Sequence, residues 1–276
     1  MKPFLVNFLF CPADKLPLRT VIFSQKDVVP TSEQKEKILI RGLLMADFET
    51  EILHGILLND RKKILYPIFA GVPRLLLFRH PLVDQFKLEF KVKLKSFFLK
   101  GYEFPNIDLI PGERNVLASF SNEWTDYGYN EEAYWGQTAE VYNGSLYSTL
   151  NNVTQELRDK LVLEVGIGSG GSANYMSDKF DCTLIGVDLG YSVDVAYKNF
   201  SSNPFFHIVQ ASAFNLPFQD AAFDFVYSHG VIHHTFNTRK AFDQLSRIPK
   251  PWFVSSRTSH EPWRWGFERG VLNFGS

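Results

Sequence analysis

Leu161-Val-Leu-Glu-Val-Gly-Ile-Gly-Ser-Gly170 is the stretch on which the fold turns. Its first half is an apolar run, the pattern of a strand buried on both faces. Its second half is rich in glycine, which lets a backbone turn sharply and approach a ligand closely. Ala173 to Phe180 follows with helical spacing, so the unit reads as strand, tight turn, helix. Further strands are expected at Thr183 to Val187, Phe205 to Ala211 and Phe223 to Ser228, with helices at Val193 to Phe200 and Thr238 to Ile248. Alternation of this kind makes a parallel α/β sheet of the Rossmann-like class.

The glycines alone leave two ligand classes open. Gly166-x-Gly168-x-x-Gly171 satisfies the dinucleotide fingerprint, and Asp188 lies near the spacing of a ribose-binding carboxylate. Glu164, two residues before the first glycine, separates them. A pyrophosphate would be repelled by it. An amino-acid zwitterion would offer an ammonium to the acid and a carboxylate to the turn's amides, which suits S-adenosylmethionine. Asp188 would then accept from both ribose hydroxyls.

With those residues in place, the run from Leu161 to Thr235 resembles class I S-adenosylmethionine-dependent methyltransferases, especially the quinone-biosynthesis type. The matching pieces are Leu161 to Gly170, Gly186-Val-Asp-Leu189, Asn215-Leu-Pro-Phe218 and Phe223-Asp-Phe-Val-Tyr-Ser-His-Gly-Val-Ile-His-His-Thr235. The resemblance implies that Glu164, Gly166, Gly168 and Gly170 hold the methionine part and Asp188 the ribose. Ser212 and Ala213 would lie beside the adenine, and Ser228 and His229 would complete the cofactor contacts. The family usually carries aspartate where Ser212 stands, so weakened cofactor binding is expected, with Ser212→Asp restoring affinity.

His229 and His233 stand four apart, as zinc-binding pairs do, but Gly230 occupies the place of a metalloprotease's general base, and no metal is expected. In the resembling family this segment borders the reaction centre, where His233 would orient an acceptor or take its proton. Helix capping or core packing accounts for these histidines equally well.

Before this domain the texture differs, and three regions are expected: 1–80, 81–158 and 159–276. The first reads as short strands at Phe4 to Phe10, Arg19 to Phe23, Glu51 to Leu58 and Ile64 to Ile68. Cys11-Pro-Ala-Asp14, Gly55 to Lys62, Tyr66-Pro-Ile68 and Gly71-Val-Pro73 resemble the small zinc-ribbon family that activates methyltransferases. That family binds zinc through two Cys-x-x-Cys knuckles, whereas here Asp14, Asn59 and Lys62 replace three of the four cysteines. A metal-free version of the fold is therefore expected, docked on the methyltransferase domain or shaping its substrate entrance. The second region opens with strict alternation from Phe86 to Leu94, read as a half-buried strand with a lysine face, and continues over 101–158 as a connecting arm with short helices, rich in Tyr, Trp, Asn and Glu, including Phe120 to Trp124 and Tyr134 to Gly136.

A net charge of −1 supplies no field for nucleic acid or anionic membrane, and the lysine face is the single feature that would favour an RNA methyltransferase. No apolar run reaches membrane-spanning length. Cys11 and Cys182 are too few for a disulfide framework, which fits a reducing, cytoplasmic setting. After a fifth strand at Trp252 to Ser256 the tail from Ser259 to Ser276 carries no second strand–helix unit, so the sheet reads as truncated or frame-shifted after about Ile248, with dimerisation through an exposed sheet edge or low stability expected. The expected function is methyl transfer from S-adenosylmethionine to a small molecule. The alternatives are a cofactor-binding pseudoenzyme or regulator, an RNA methyltransferase and a nicotinamide oxidoreductase.

Overall fold

In the computed structural model, residues 1–97, 99–108, 112–114, 117, 141, 144, 157–250, 254–257, 267–268 and 271–272 are described. Four strands come from the N-terminal region: β1 (Arg19–Asp27), β2 (Thr50–Asn59), β3 (Ile64–Phe69) and β4 (Val72–Leu75). Five follow: β5 (Leu161–Val165), β6 (Thr183–Asp188), β7 (Phe206–Ala211), β8 (Phe225–His229) and β9 (Val254–Arg257). All nine join in one sheet of order β1-β2-β3-β4-β7-β6-β5-β8-β9. Neighbours from β1 to β4 are antiparallel, whereas every pairing from β4 onward is parallel.

The expected division at 80 and 159 therefore does not interrupt the sheet. Arg74 and Leu75 of β4 pair with Gln210 and Ala211 of β7, so the N-terminal strands extend the parallel half at its β7 side. The core is continuous across this seam. Leu5, Tyr66 and Leu75 belong to the same buried cluster as Leu163, Val187, Val209, Phe223 and Leu245.

The parallel half is built as the alternation requires. Helices α4 (Gly171–Lys179) and α5 (Ser192–Phe200) bring Ala173, Met176, Val193 and Ala196 against Val162, Leu184 and Ile208 on one face. Helix α6 (Thr238–Ser246) brings Ala241 and Leu245 to the other. From β5 the chain runs outward through β6 to β7, then returns to β8 on the opposite side. That reversal opens a crevice at the carboxyl ends of β5 and β8, where α/β sheets bind ligands.

Three sequence expectations need correction. Phe86 to Leu94 is not a strand: helices α2 (Pro81–Glu89) and α3 (Lys91–Ser96) occupy it. Val83, Phe86 and Phe90 are buried at helical spacing, while Leu88 and Val92, which strict alternation places inside, are 79% and 81% exposed. Pro81 pre-sets the first turn, and the His80 ring accepts a hydrogen bond from the Leu82 amide. Phe4 to Phe10 is not a strand either, because Pro3–Phe8 forms a 3-10 helix that buries Phe4 and Leu5. Helix α1 (Ser32–Ile40) lies where only strands and turns are expected, opened by a capping box between Thr31 and Gln34.

The four positions that resemble zinc knuckles carry a polar cluster instead. The Asn59 amide donates to Asp14 Oδ1 at 2.8 Å, and Asn59 Oδ1 accepts from the amides of Arg61 and Lys62 at 3.0 and 2.9 Å. Cys11 Sγ lies 3.3 Å from the Tyr66 hydroxyl in the core. The aromatic arm around Phe120 to Trp124 and Tyr134 to Gly136, Trp252 and most of the tail lie outside the described residues. Phe267–Glu268 and Val271–Leu272 pair antiparallel as β10 and β11.

Candidate active site

The glycine turn leaves β5 at Val165 and is held by its backbone. Gly166 and Ile167 amides donate to the Val187 carbonyl at 2.7 and 3.2 Å, which fastens the turn to the end of β6. Gly166 has φ +93°, and a side chain there would meet the methyls of Val231 at 2.2 Å. Gly170 has φ +82°, and a Cβ would meet that of Ala196 at 2.8 Å. Both conformations are costly for any other residue. Gly170 caps α4, and the first amides of a helix lack intrahelical partners and suit a negative group.

Two carboxylates flank this turn from adjacent strands. Glu164 is buried, and its Oε2 accepts from the Tyr227 hydroxyl at 2.6 Å across the β5–β8 pair. Burial pushes the Glu164 carboxyl up to about 7; the Tyr227 hydrogen bond opposes the shift and neighbouring Asp188 adds to it. Asp188 ends β6. One oxygen accepts from the Gly168 amide at 2.9 Å, the other from the Gly190 amide at 2.8 Å. Burial raises its pKa, against the pull of these amides. Two desolvated acids facing one crevice suit a cationic and hydroxyl-bearing ligand.

Ser212 lies just past the end of β7 and is buried. Its hydroxyl donates to Glu113 Oε1 at 2.5 Å and accepts from the Phe214 amide at 3.2 Å. Ala213 beside it is half-buried. Ser228 is buried in β8, and its hydroxyl donates to the Val165 carbonyl at 2.7 Å, so it fastens β8 to β5. His229 ends β8, half-buried, and His233 is half-buried in the short 3-10 helix Ile232–His234, its ring 3.9 Å from that of His234. Among the described residues no group of three His, Cys, Asp or Glu side chains could hold a metal.

Three participants escape a reading of the sequence. Tyr227 is one residue before Ser228 in a quoted motif, and pairing β8 with β5 in register would have found it. Glu113 is 99 residues from Ser212, with no local signal at all. The third is a relay from the N-terminal strands. Buried Arg74 of β4 donates to Asp194 Oδ1 at 2.5 Å and to Gln210 Oε1 at 3.1 Å. The Gln210 amide then donates to the carbonyls of Leu189 and Gly190 at 3.0 and 3.2 Å, the residues that follow Asp188.

Residues 163–252 match the model of the methyltransferase domain family. An O-methyltransferase of Aspergillus nomiae is 26% identical over 50% of this chain and 61% of its own length. One from Penicillium expansum is 27% identical over 49% of this chain and 53% of its own. The chain thus spans between half and two thirds of these curated relatives. The geranyl diphosphate C-methyltransferase of Streptomyces coelicolor is similar in structure at a TM-score of 0.46, with 14% identity over 54% of this chain and 65% of that one. Over residues 163–252 the parallel half of the sheet is therefore similar to the methyltransferase domain family, and its strand order is Rossmann-like.

Proposed function

We propose that this protein transfers the methyl group of S-adenosylmethionine to a small-molecule acceptor. The observation that carries the reading is the placement of Glu164, buried, and Asp188, half-buried, at the ends of adjacent strands, on either side of a turn whose Gly166 and Gly170 leave no room for side chains. This cradle fits the cofactor. Glu164 would hold its ammonium, the amides at the start of α4 its carboxylate, and Asp188 its ribose hydroxyls. When bound, the cofactor supplies a methyl group already activated on a sulfonium. The chain's own task is then to align the acceptor and exclude water. His233, half-buried beyond β8, would orient the acceptor or take its proton.

The N-terminal strands serve this site by bracing β7, in the manner of a built-in activator that needs no zinc. The RNA reading loses its support, because the lysines of 87–95 lie on two helices instead of one strand face. No helix among the described residues is long and apolar enough to cross a membrane. The test is calorimetric titration with S-adenosylmethionine and with NAD, followed by transfer of labelled methyl to a panel of small hydroxylated and amino acceptors. Binding of the first cofactor and transfer to at least one acceptor are expected. Binding of NAD in place of S-adenosylmethionine would overturn the reading.

A further inference from the structure

We infer that Glu113 supplies the carboxylate that receives the exocyclic amine of the cofactor's adenine, and that Ser212 is its positioning residue. The inference rests on the cofactor reading above. Strand order fixes where the base must go. With the amino-acid end at Glu164 on β5 and the ribose at Asp188 on β6, an extended nucleoside continues outward to the next strand end. That strand is β7, which pairs with β6 in register at Asp188 and Gln210. Ser212 stands two residues beyond this pair, at the level where the base arrives.

A serine there offers no charge. The structure brings one from elsewhere: Glu113 is 8% exposed and Ser212 5%, and the two meet at 2.5 Å. A carboxylate so desolvated is a strong acceptor, and among the described residues it has no ion-pair partner. Its second oxygen is left for another donor, and an aromatic amine is a donor of the right kind. The backbone around it is set for contact. A side chain on Gly112 would strike Phe236 at 2.4 Å, and the Phe236 ring lies 4.4 Å from that of Phe214, which gives the base an apolar wall.

The arrangement changes what substitution at 212 should do. Ser212→Asp would set a second carboxylate against Glu113, so repulsion would cancel the gain expected from the sequence alone. The test is calorimetry with S-adenosylhomocysteine and with S-inosylhomocysteine, whose 6-oxo group cannot donate to a carboxylate. The wild type should prefer the adenosyl ligand about tenfold or more, the worth of one charge-assisted hydrogen bond. Glu113→Gln, similar in size, should lose most of that preference while keeping its affinity for the inosyl ligand. Ser212→Asp should bind no more tightly than wild type, and the Ser212→Asp/Glu113→Gln double variant should regain the preference. A wild type that binds both ligands equally, a Glu113→Gln variant with its preference intact, or a tighter-binding Ser212→Asp would each overturn this inference alone. Binding of neither ligand would overturn the cofactor reading and this inference with it.

Discussion

At the scale of single residues, Glu164 links the site's chemistry to pH. Its folded pKa of about 7 stands above the ordinary value of 4.5. A carboxyl raised in this way stabilises the fold fully below the unfolded pKa, and that contribution is lost as pH rises through the folded one. Relative to Glu164→Gln, the ligand-free wild type should therefore lose about 3 kcal/mol of stability between pH 4.5 and 7, measured by urea unfolding at each pH. Ligand binding should run the other way. An ammonium against Glu164 favours the ionised acid, so affinity for S-adenosylmethionine should rise with pH up to about 7, with proton release in calorimetry below that point. A difference in stability that does not change with pH would show that folding leaves the Glu164 pKa at its ordinary value. Glu164, Asp188 and the glycines were legible in the sequence because each marks a strand end or a turn. Glu113 was not, since only the folded chain brings residues so distant together.

Between elements, the hydrogen-bond relay Arg74–Gln210 joins β4 to the loop after Asp188. Arg74 is buried, but its partner Asp194 is 39% exposed, which screens the ion pair. Arg74→Met should therefore cost about 1–3 kcal/mol, mostly from leaving Gln210 without its donor. Gln210→Leu frees the Leu189 and Gly190 carbonyls directly. Because both act through one chain of bonds, the double variant should fall short of the sum by about 1 kcal/mol. Cofactor affinity should weaken in each variant alike; strict additivity in stability and affinity would mean that β4 packs beside the site without bracing it. Of the two strands of this seam, β7 was readable from apolar patterning, but β4 and its pairing were not, because β4 is only four residues long and its partner lies far along the chain. The Phe86 to Leu94 error has a different cause. Apolar residues at 82, 86, 90 and 94 satisfy both a period of two and a helical repeat, and the exposure of Leu88 and Val92 breaks the tie only in three dimensions. Thr31 and Gln34, by contrast, carried a capping-box signal that could have located α1.

Across the whole molecule, one cluster of buried side chains runs from Leu5 and Tyr66 to Leu163 and Leu245, so the N-terminal strands and the methyltransferase domain share a core and not merely a border. Two consequences meet at Cys11. If the N-terminal part were a zinc-dependent unit, removing metal would unfold it, and with it the strand that pairs with β7. The residues at the knuckle positions make this unnecessary. Asn59 spends its side chain on Asp14 and on the amides of its own turn, which closes the turn as a metal would, and Cys11 is buried against Tyr66. Incubation with a strong chelator should therefore leave the melting temperature unchanged, and metal analysis of the purified protein should find far less than one zinc per chain. Asn59→Ala should instead lower stability by about 1–3 kcal/mol by leaving the Arg61 and Lys62 amides without their acceptor. Because the core is shared, that loss should appear in a single cooperative transition that also carries β5 to β8, and not as early melting of residues 1–80. Native-state hydrogen exchange reads this directly: amides of β3 and β6 should open with the same free energy, and both should fall together in the variant. Chelation that melts the N-terminal strands first would reverse this assignment and restore a metal to the site.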